Sequence, residues 1–334
     1  MSQVETIHSV ARGKIGDLFA DIRDDLAKIE DRLQTELRSQ HECVDQVVRH
    51  GYRLGGKRLR PALLLLAGRA CGNLTVTHET LAVVVEMIHT ATLVHDDVLD
   101  EADLRRHVDT INARWGNETS VLLGDFLFSH AFYLASTLGA ADACQLIGRS
   151  TNRVCEGEMR QTLAEGDLSI TEEEYFSIID AKTAELCACC CELGAKYVGA
   201  DTASIQSLAN YGRNLGTAFQ IADDLLDLSG EEAITGKSLG RDLAKRKLTL
   251  PLLHARDALV DGSRKEFLTL VERGDMDAAI EILTTLRELG SLDYARQHAE
   301  SFAALASEQL NALPESPARA TLEQMAEFVV ARSA

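Results

Sequence analysis

Asp96, Asp97 and Asp100 set three carboxylates within five positions of the stretch LVHDDVLDEADLRR, residues 93–106, and Arg105 and Arg106 close it. Asp96 and Asp100 stand at i and i+4, which stacks them on one face of a helix. Left without counter-charge, such neighbours weaken a helix by roughly 0.2–0.5 kcal/mol. The run that leads into them, LAVVVEMIHTATLVHDDVLD, is apolar nearly all round and belongs in a core. A carboxylate pair at the tip of a buried helix is a poor solvated face and a good seat for hard divalent cations. Magnesium takes one or two carboxylates, keeps some of its waters and completes its octahedron with phosphate oxygens. The same pattern returns in FQIADDLLDLSG, where Asp223, Asp224 and Asp227 again close an apolar helical run. One such cluster in an Asp-rich chain is weak evidence, whereas two in the same context point to cations gathered around a polyphosphate.

Basic residues at separate places would complete such a site. GGKRLRP, residues 55–61, opens a helix with Lys57, Arg58 and Arg60 in or near its first turn. Cations there oppose the helix dipole, and a bound phosphate reconciles the two. The segment 232–247, EAITGKSLGRDLAKRK, gathers Lys237, Arg241, Lys245, Arg246 and Lys247. In an acidic chain that loop is either a solvated turn or a lid over an anion.

The elements that must position these groups are helical. In residues 15–37 the series Ile15, Leu18, Phe19, Ile22, Leu26, Ile29, Leu33 and Leu37 makes one apolar stripe. Further helices are expected at roughly 60–71, 78–104, 117–138, 140–164, 171–198 and 201–229, with shorter ones over much of 248–332. The breaks, among them HGYRLGGKR, ACGNLT, AEGDLS and LPESPAR, carry helix-stop residues. No stretch shows period-two alternation, so the chain reads as all-α, a single domain over residues 1–334. A net charge of -18 argues against nucleic acid as a partner. The first 25 residues are polar, and runs such as PALLLLAG are too short to span a bilayer, so a cytoplasmic protein without a transmembrane segment is expected. In CACCC, residues 187–191, Cys187, Cys190 and Cys191 share a helical face. One helix cannot easily wrap a tetrahedral ion, so small-residue packing is the better reading than a metal site.

In order along the chain, GGKRLRP, HDDVLDEADLRR, LLGDFLFSHAF, GEMRQ, KTAEL, GTAFQIADDLLD and KLTLPLLHA resemble the motifs of the trans-prenyl diphosphate synthases, above all the long-chain bacterial group that includes octaprenyl synthases. The likeness runs from about residue 40 to 260, and LGSLDYARQHAE in the C-terminal helices, 261–334, is similar too. The resemblance implies the orthogonal helical bundle of the isoprenoid synthase fold, a homodimer, and about three magnesium ions per site. Carried over residue by residue, it makes Asp96, Asp100 and Asp223 magnesium ligands, with Asp97, Asp224 and Asp227 beside them. Lys57, Arg60, His89 and Arg106, with Arg58 in the same block, would bind isopentenyl diphosphate. Arg105, Lys182, Thr183, Gln220, Lys237 and Lys247 would grip the allylic diphosphate or close over it, with Lys182 counted among the catalytic groups.

The implied reaction ionises an allylic diphosphate, such as farnesyl or geranyl diphosphate, and the double bond of isopentenyl diphosphate attacks the resulting cation. The departed pyrophosphate takes the proton. The growing tail should run down the helix that ends in Asp96, past Ala91, Thr92 and Ile88. Family members that stop early place aromatics four or five residues before this motif. Here Ala91 and Thr92 leave no floor, so a product of about C30–C50 is expected, octaprenyl foremost and suited to a quinone side chain. A geranylgeranyl synthase or a non-catalytic subunit of a heteromeric synthase is the alternative. Terpene cyclases and head-to-head synthases generally lack the isopentenyl site that GGKRLRP and Arg106 supply. Two departures bear on loop geometry: His107 stands where a glycine is usual, and Arg246 and Leu248 replace glycine and proline around Lys247.

Overall fold

A computed structural model describes residues 18–56, 58–229, 243 and 245–331. Its helices are α1 (Arg23–Glu36), α2 (Glu42–Arg53), α3 (Leu59–Cys71), α4 (Val76–Leu99), α5 (Ile111–Trp115), α6 (Asn117–Thr137), α7 (Ala141–Leu163), α8 (Glu172–Ile179), α9 (Glu185–Tyr197), α10 (Thr202–Ser229), α11 (Leu250–Ala258), α12 (Asp261–Arg273), α13 (Met276–Glu288), α14 (Ser291–Gln309) and α15 (Pro317–Ala331). The all-α expectation holds, with one addition: Leu104–Arg105 and Val108–Asp109 pair as a two-residue antiparallel hairpin, β1 and β2.

Besides the short α5, which falls between two expected helices, three elements differ from the sequence reading. Helix α2 falls where no helix is expected, although Val44, Val47, Val48 and Tyr52 in ECVDQVVRHGYR recur at helical spacing and mark one face. Helix α4 stops at Leu99 rather than near 104, since Glu101 turns left-handed at φ 49° and the chain enters the hairpin. The helix expected over 171–198 is broken at Asp180–Ala184 by one turn of π-helix.

The chain divides into two compact units. The first takes its described residues from Met1–Thr151, Cys189–Ala209 and Ala312–Leu322. Its centre is α4, apolar and buried over most of its length, packed along α6 and against α3. His78 in the first turn of α4 accepts from the Thr75 amide through Nδ1 at 3.0 Å, and its Nε2 lies 3.1 Å from the Gly194 carbonyl. Gly194 is required where it stands: a Cβ there would fall 2.1 Å from the Leu64 carbonyl oxygen, so α9 meets α3 backbone to backbone. Gly124 of the LLGDFLF block similarly leaves room for the His95 ring, which a Cβ would meet at 2.0 Å.

The second unit takes its described residues from Asn152–Ala188, Asn210–Asn311 and Glu323–Ala334. Its core joins Tyr175 and Ile179 to Ile221, Leu225 and Leu228 of α10 and to the faces of α11–α14. Gly212 and Gly216, one turn apart on α10, let that helix meet the backbone at Cys187 and Ala184. Cys187 is buried, as are Cys189, Cys190 and Cys191 of the first unit, in keeping with small-residue packing. Helix α8 begins with a reciprocal cap in which the Glu174 amide donates to Thr171 Oγ1 and the Thr171 amide to Glu174 Oε2. Helix α11 begins in TLP, with proline in its first turn, where its missing N–H costs nothing.

Gly194→Ala should lower stability by roughly 2–4 kcal/mol, because the atom it meets is backbone and cannot swing aside. Thermal unfolding followed by circular dichroism checks this, with a midpoint several degrees lower expected.

Candidate active site

In the first unit, Asp96 and Asp100 lie at the open end of α4. The Asp100 amide donates to the Asp96 carbonyl at 2.7 Å, so their side chains share a face as the spacing predicts. Asp96 is half-buried and Asp100 exposed. Asp97 points the other way, 2% exposed, and accepts from Arg105 Nε at 2.8 Å. The cluster thus divides into two outward carboxylates and one inward carboxylate tied by a guanidinium. Arg105, expected on the allylic diphosphate, acts here as that tie.

Arg58 is likewise tied within the protein. It sits left-handed at φ 54°, immediately before α3. Its Nε and Nη2 donate to Glu30 at 2.7 and 3.1 Å, its Nη1 donates to Glu86 at 2.7 Å, and its guanidinium lies over the Tyr52 ring. Glu86 is 1% exposed, so Arg58 neutralises a buried charge instead of presenting its own. Burial alone would lower the Arg58 pKa, and the two carboxylates override it and raise it. Glu30, pushed up by burial but held by Arg58 and Tyr52, ends below the usual carboxylate range.

Arg60, two residues on, behaves differently. Its Nε is buried and has no hydrogen-bond partner among the described residues. Arg106 reaches back to the glycine loop, donating to the Gly55 carbonyl at 2.5 Å, and a Cβ on Gly56 would touch its guanidinium at 3.0 Å. Half-buried His89 lies in the field of this group. Its pKa falls well below 6.5, first through burial and then through the charges of Arg60, Arg106, Arg105 and Arg58. At neutral pH it is an uncharged imidazole amid cations, an arrangement that an incoming anion would stabilise. Lys57 lies outside the described residues.

Ile88 and Ala91 are fully buried, whereas Thr92 is half-buried, one turn before Asp96 on the same face. The Thr92 hydroxyl donates to the His89 carbonyl at 2.8 Å, leaving its methyl group as the apolar part of that surface.

The second unit repeats the division of labour. Asp223 and Asp227 are half-buried on α10, while Asp224 is 2% exposed and points inward. Asp224 accepts from the Tyr175 hydroxyl at 2.7 Å and from Gln220 Nε2 at 2.8 Å, with Lys247 Nζ at 3.9 Å. Gln220 Oε1 in turn accepts from the Thr183 hydroxyl at 2.8 Å. Both ends of the Gln220 amide are therefore engaged within the protein rather than offered to a diphosphate.

Lys182 and Thr183 ride on the π-turn. Gly157 of the GEMRQ block makes the turn possible, since a Cβ there would fall 2.6 Å from the Lys182 amide nitrogen. Arg213 spans its two ends, donating to Asp180 at 2.6 Å and Glu185 at 2.7 Å, and Arg153 pairs with the same two carboxylates. Lys182 Nζ meets Glu158 at 2.6 Å. Turns of this kind concentrate at functional sites because they re-aim side chains within a helix. Sequence reasoning missed Glu30, Glu86, Glu158, Tyr175 and Arg213. Glu158 alone had a signal, its place in a recognised motif. Lys237 and most of the basic 232–247 segment lie outside the described residues.

The donor chemistry suits a hard cation. Each cluster offers outward carboxylate oxygens at i and i+4, and no group of three or more His, Cys, Asp or Glu among the described residues forms a cage by itself. Magnesium bound by one or two carboxylates, with water and phosphate oxygens filling the other positions, fits such a set.

The loop between the arginine pair and α5 carries strain. Arg106 and His107, the central residues of the β1–β2 turn, have φ of 53° and 64°, and Arg246 has φ of 57°. Positive φ at both central positions is the demand of a type I′ turn, which glycine and asparagine meet most readily. Both departures from glycine noted in the sequence thus fall on left-handed backbone.

The mainly helical chain has the isoprenoid synthase fold, as its likeness to solved polyprenyl synthases shows. A family model described as Polyprenyl synthetase matches residues 41–286, and the chain belongs to that family. It is 38% identical over 320 residues to octaprenyl diphosphate synthase of Escherichia coli (strain K12), covering 96% of this chain and 98% of that one. The crystal structure of a decaprenyl diphosphate synthase from Rhodobacter capsulatus is similar with a TM-score of 0.90 and 36% identity, covering 96% of this chain and 99% of that one. The polyprenyl synthase from Caulobacter crescentus CB15 complexed with calcium and isoprenyl diphosphate gives a TM-score of 0.88 and 36% identity, over 96% and 98% of the two chains.

Arg58→Met should cost about 3 kcal/mol, because it leaves Glu86 charged and buried, whereas Arg60→Met should leave the unfolding midpoint in urea nearly unchanged. His107→Gly and Arg246→Gly should each stabilise by about 0.5–1 kcal/mol, the relief of left-handed strain exceeding the added entropy of the unfolded chain. Urea titrations of the four variants check both.

Proposed function

We propose that the protein is a magnesium-dependent polyprenyl diphosphate synthase that elongates an allylic diphosphate with isopentenyl diphosphate to an all-trans product of about C30–C50, octaprenyl foremost. The observation that carries this reading is the arrangement found twice: an i, i+4 pair of outward carboxylates whose intervening aspartate is buried and tied down. Nothing in a solvated helix end calls for that arrangement. A diphosphate neutralised by cations held on the outward pair does.

In this reading Arg60, Arg106 and neutral His89, with Lys57, hold the diphosphate of isopentenyl diphosphate. Asp96, Asp100 and Asp223 hold magnesium, which when bound supplies Lewis-acid neutralisation of the leaving pyrophosphate. Lys182, aimed by the π-turn, and Lys247 add positive charge where the leaving group accumulates its negative charge. Arg58, Asp97, Arg105, Gln220 and Asp224 serve by holding these groups in place. The basic 232–247 segment, with Lys237, would close over the site and keep water from the allylic cation. The proton lost after attack goes to the departed pyrophosphate, since no buried side chain among the described residues stands as an evident base.

The tail follows the face that bears Asp96, so half-buried Thr92 lines its path and fully buried Ala91 lies behind. Names of similar proteins, octaprenyl and decaprenyl diphosphate synthase, support a long product. Exposed Val121, Leu122 and Tyr133 on α6, and exposed Met159 and Leu163 on α7, support a homodimer in which a twin chain covers them. No helix among the described residues is long and apolar enough to cross a membrane, in keeping with a cytoplasmic enzyme that passes its product to one.

Purified protein supplied with magnesium, farnesyl diphosphate and labelled isopentenyl diphosphate should give linear long-chain products, resolved by chromatography after dephosphorylation, and none with EDTA. Thr92→Phe should shorten the product distribution while sparing turnover. Cyclised or head-to-head products, or none, would overturn the assignment, and unchanged chain length in Thr92→Phe would overturn the tail path.

A further inference from the structure

We propose that Tyr175 is a positioning residue for prenyl transfer: its hydroxyl fixes the buried middle carboxylate of the second aspartate cluster and, through Gln220 and Thr183, joins that cluster to the turn that carries Lys182. The assignment rests on the function proposed above for what the outward carboxylates hold.

A carboxylate buried in a helical core needs a donor for each oxygen, or its desolvation is uncompensated. Asp224 has them from two directions: Tyr175 donates to Oδ2 and Gln220 to Oδ1. With both oxygens engaged the carboxylate plane is set; Gln220 belongs to α10 itself, so the bonds that hold the rotation of α10 are those from outside it, Tyr175 to Asp224 and Thr183 to Gln220. That rotation decides where Asp223 and Asp227 point. Tyr175 is itself 3% exposed, seated among Ile221, Leu225 and the α11–α14 core, with Phe176 edge-on at 5.4 Å. Helix α8, which carries it, is braced from α14 by Tyr294, whose hydroxyl lies 3.0 Å from both oxygens of Glu172. The Gln220 amide extends the tie: Oε1 accepts from Thr183, the neighbour of Lys182. One hydrogen-bonded line thus runs Tyr175, Asp224, Gln220, Thr183. A cation on the outward carboxylates and a phosphate at Lys182 would each bind a surface that the other's ligands help to hold still.

Tyr175→Phe removes the hydroxyl and keeps the ring. Binding of manganese(II), measured by electron paramagnetic resonance in the presence of inorganic pyrophosphate, should weaken by about tenfold to a hundredfold, the usual effect of losing an outer hydrogen bond to a metal site. The KM for the allylic diphosphate should rise, while that for isopentenyl diphosphate, held by Arg60, Arg106 and His89, stays put. In an Asp224→Asn background the same substitution should have no further effect. Unchanged manganese affinity, equal loss for both substrates, or additive loss in that background would each overturn the proposal. If Tyr175→Phe does not fold, as judged by circular dichroism, Gln220→Met in the two backgrounds decides by the same readouts. A wild-type protein that makes no prenyl product, yet binds manganese and pyrophosphate in a Tyr175-dependent way, would sink the functional reading and leave the tie standing.

Discussion

Like charges one helical turn apart repel, and each acidic helix end in this protein is organised around that repulsion. Three carboxylates cannot all face the same solvent-poor space without external charge. The structure turns one of the three inward and ties it within the protein, Asp97 through one oxygen to Arg105 and Asp224 through both oxygens to Tyr175 and Gln220. Two remain outward, a number that one or two hard cations can compensate together with phosphate. The inward carboxylate is then an anchor: it fixes the phase of the helix, and the phase aims the outward pair. The two ties use different chemistry, a guanidinium in one unit and a hydroxyl with an amide in the other, which marks the tie itself as the constraint.

How much of this the sequence discloses depends on how far apart the interacting residues lie along the chain. The aspartate clusters, GGKRLRP and the apolar runs of α4 and α10 are legible because their meaning is set by spacing within a turn or two. Arg58 and Gln220 are not, because their partners decide their roles. Glu30 and Glu86 each lie 28 residues from Arg58, and they hold its guanidinium within the protein. Thr183 lies 37 residues from Gln220 and engages its amide oxygen. The π-turn is hidden for the same reason. It needs Gly157 beneath it and Arg153 and Arg213 across its ends, and none of these is implied by the periodicity of 171–198. Helix α2 is legible in the spacing of Val44, Val47, Val48 and Tyr52, whereas the end of α4 is not, because an acidic, leucine-containing stretch looks helical until Glu101 leaves the helical region.

The glycine departures show a middle case. From the residues alone, His107 and Arg246 are only unusual. The backbone gives the reason, since both occupy left-handed φ. Side chains in that region cost about 1–2 kcal/mol each against the right-handed alternative. Strain of this size persists only where surrounding contacts over-determine the conformation. Around His107 those contacts are visible: Arg106 is anchored on the Gly55 carbonyl and Arg105 on Asp97, so the two residues that lead into it are both pinned. The loop's geometry is dictated from outside the loop.

The same reasoning separates the two residues before the first cluster. Position in sequence makes Ala91 and Thr92 equivalent, as small residues that leave a passage open. Helical phase makes them different. Ala91 is fully enclosed by protein, so added volume there must displace packed neighbours, and overpacking of a core costs about 1–3 kcal/mol before any tail is met. Thr92 stands one turn below Asp96 on its own face, partly open, with its hydroxyl returned to the His89 carbonyl. An apolar chain leaving the cations at Asp96 along that face meets the Thr92 methyl group first. A substitution at Ala91 therefore reports on folding as much as on product length, and on the tail path proposed above Thr92 is the position where added volume meets the growing chain.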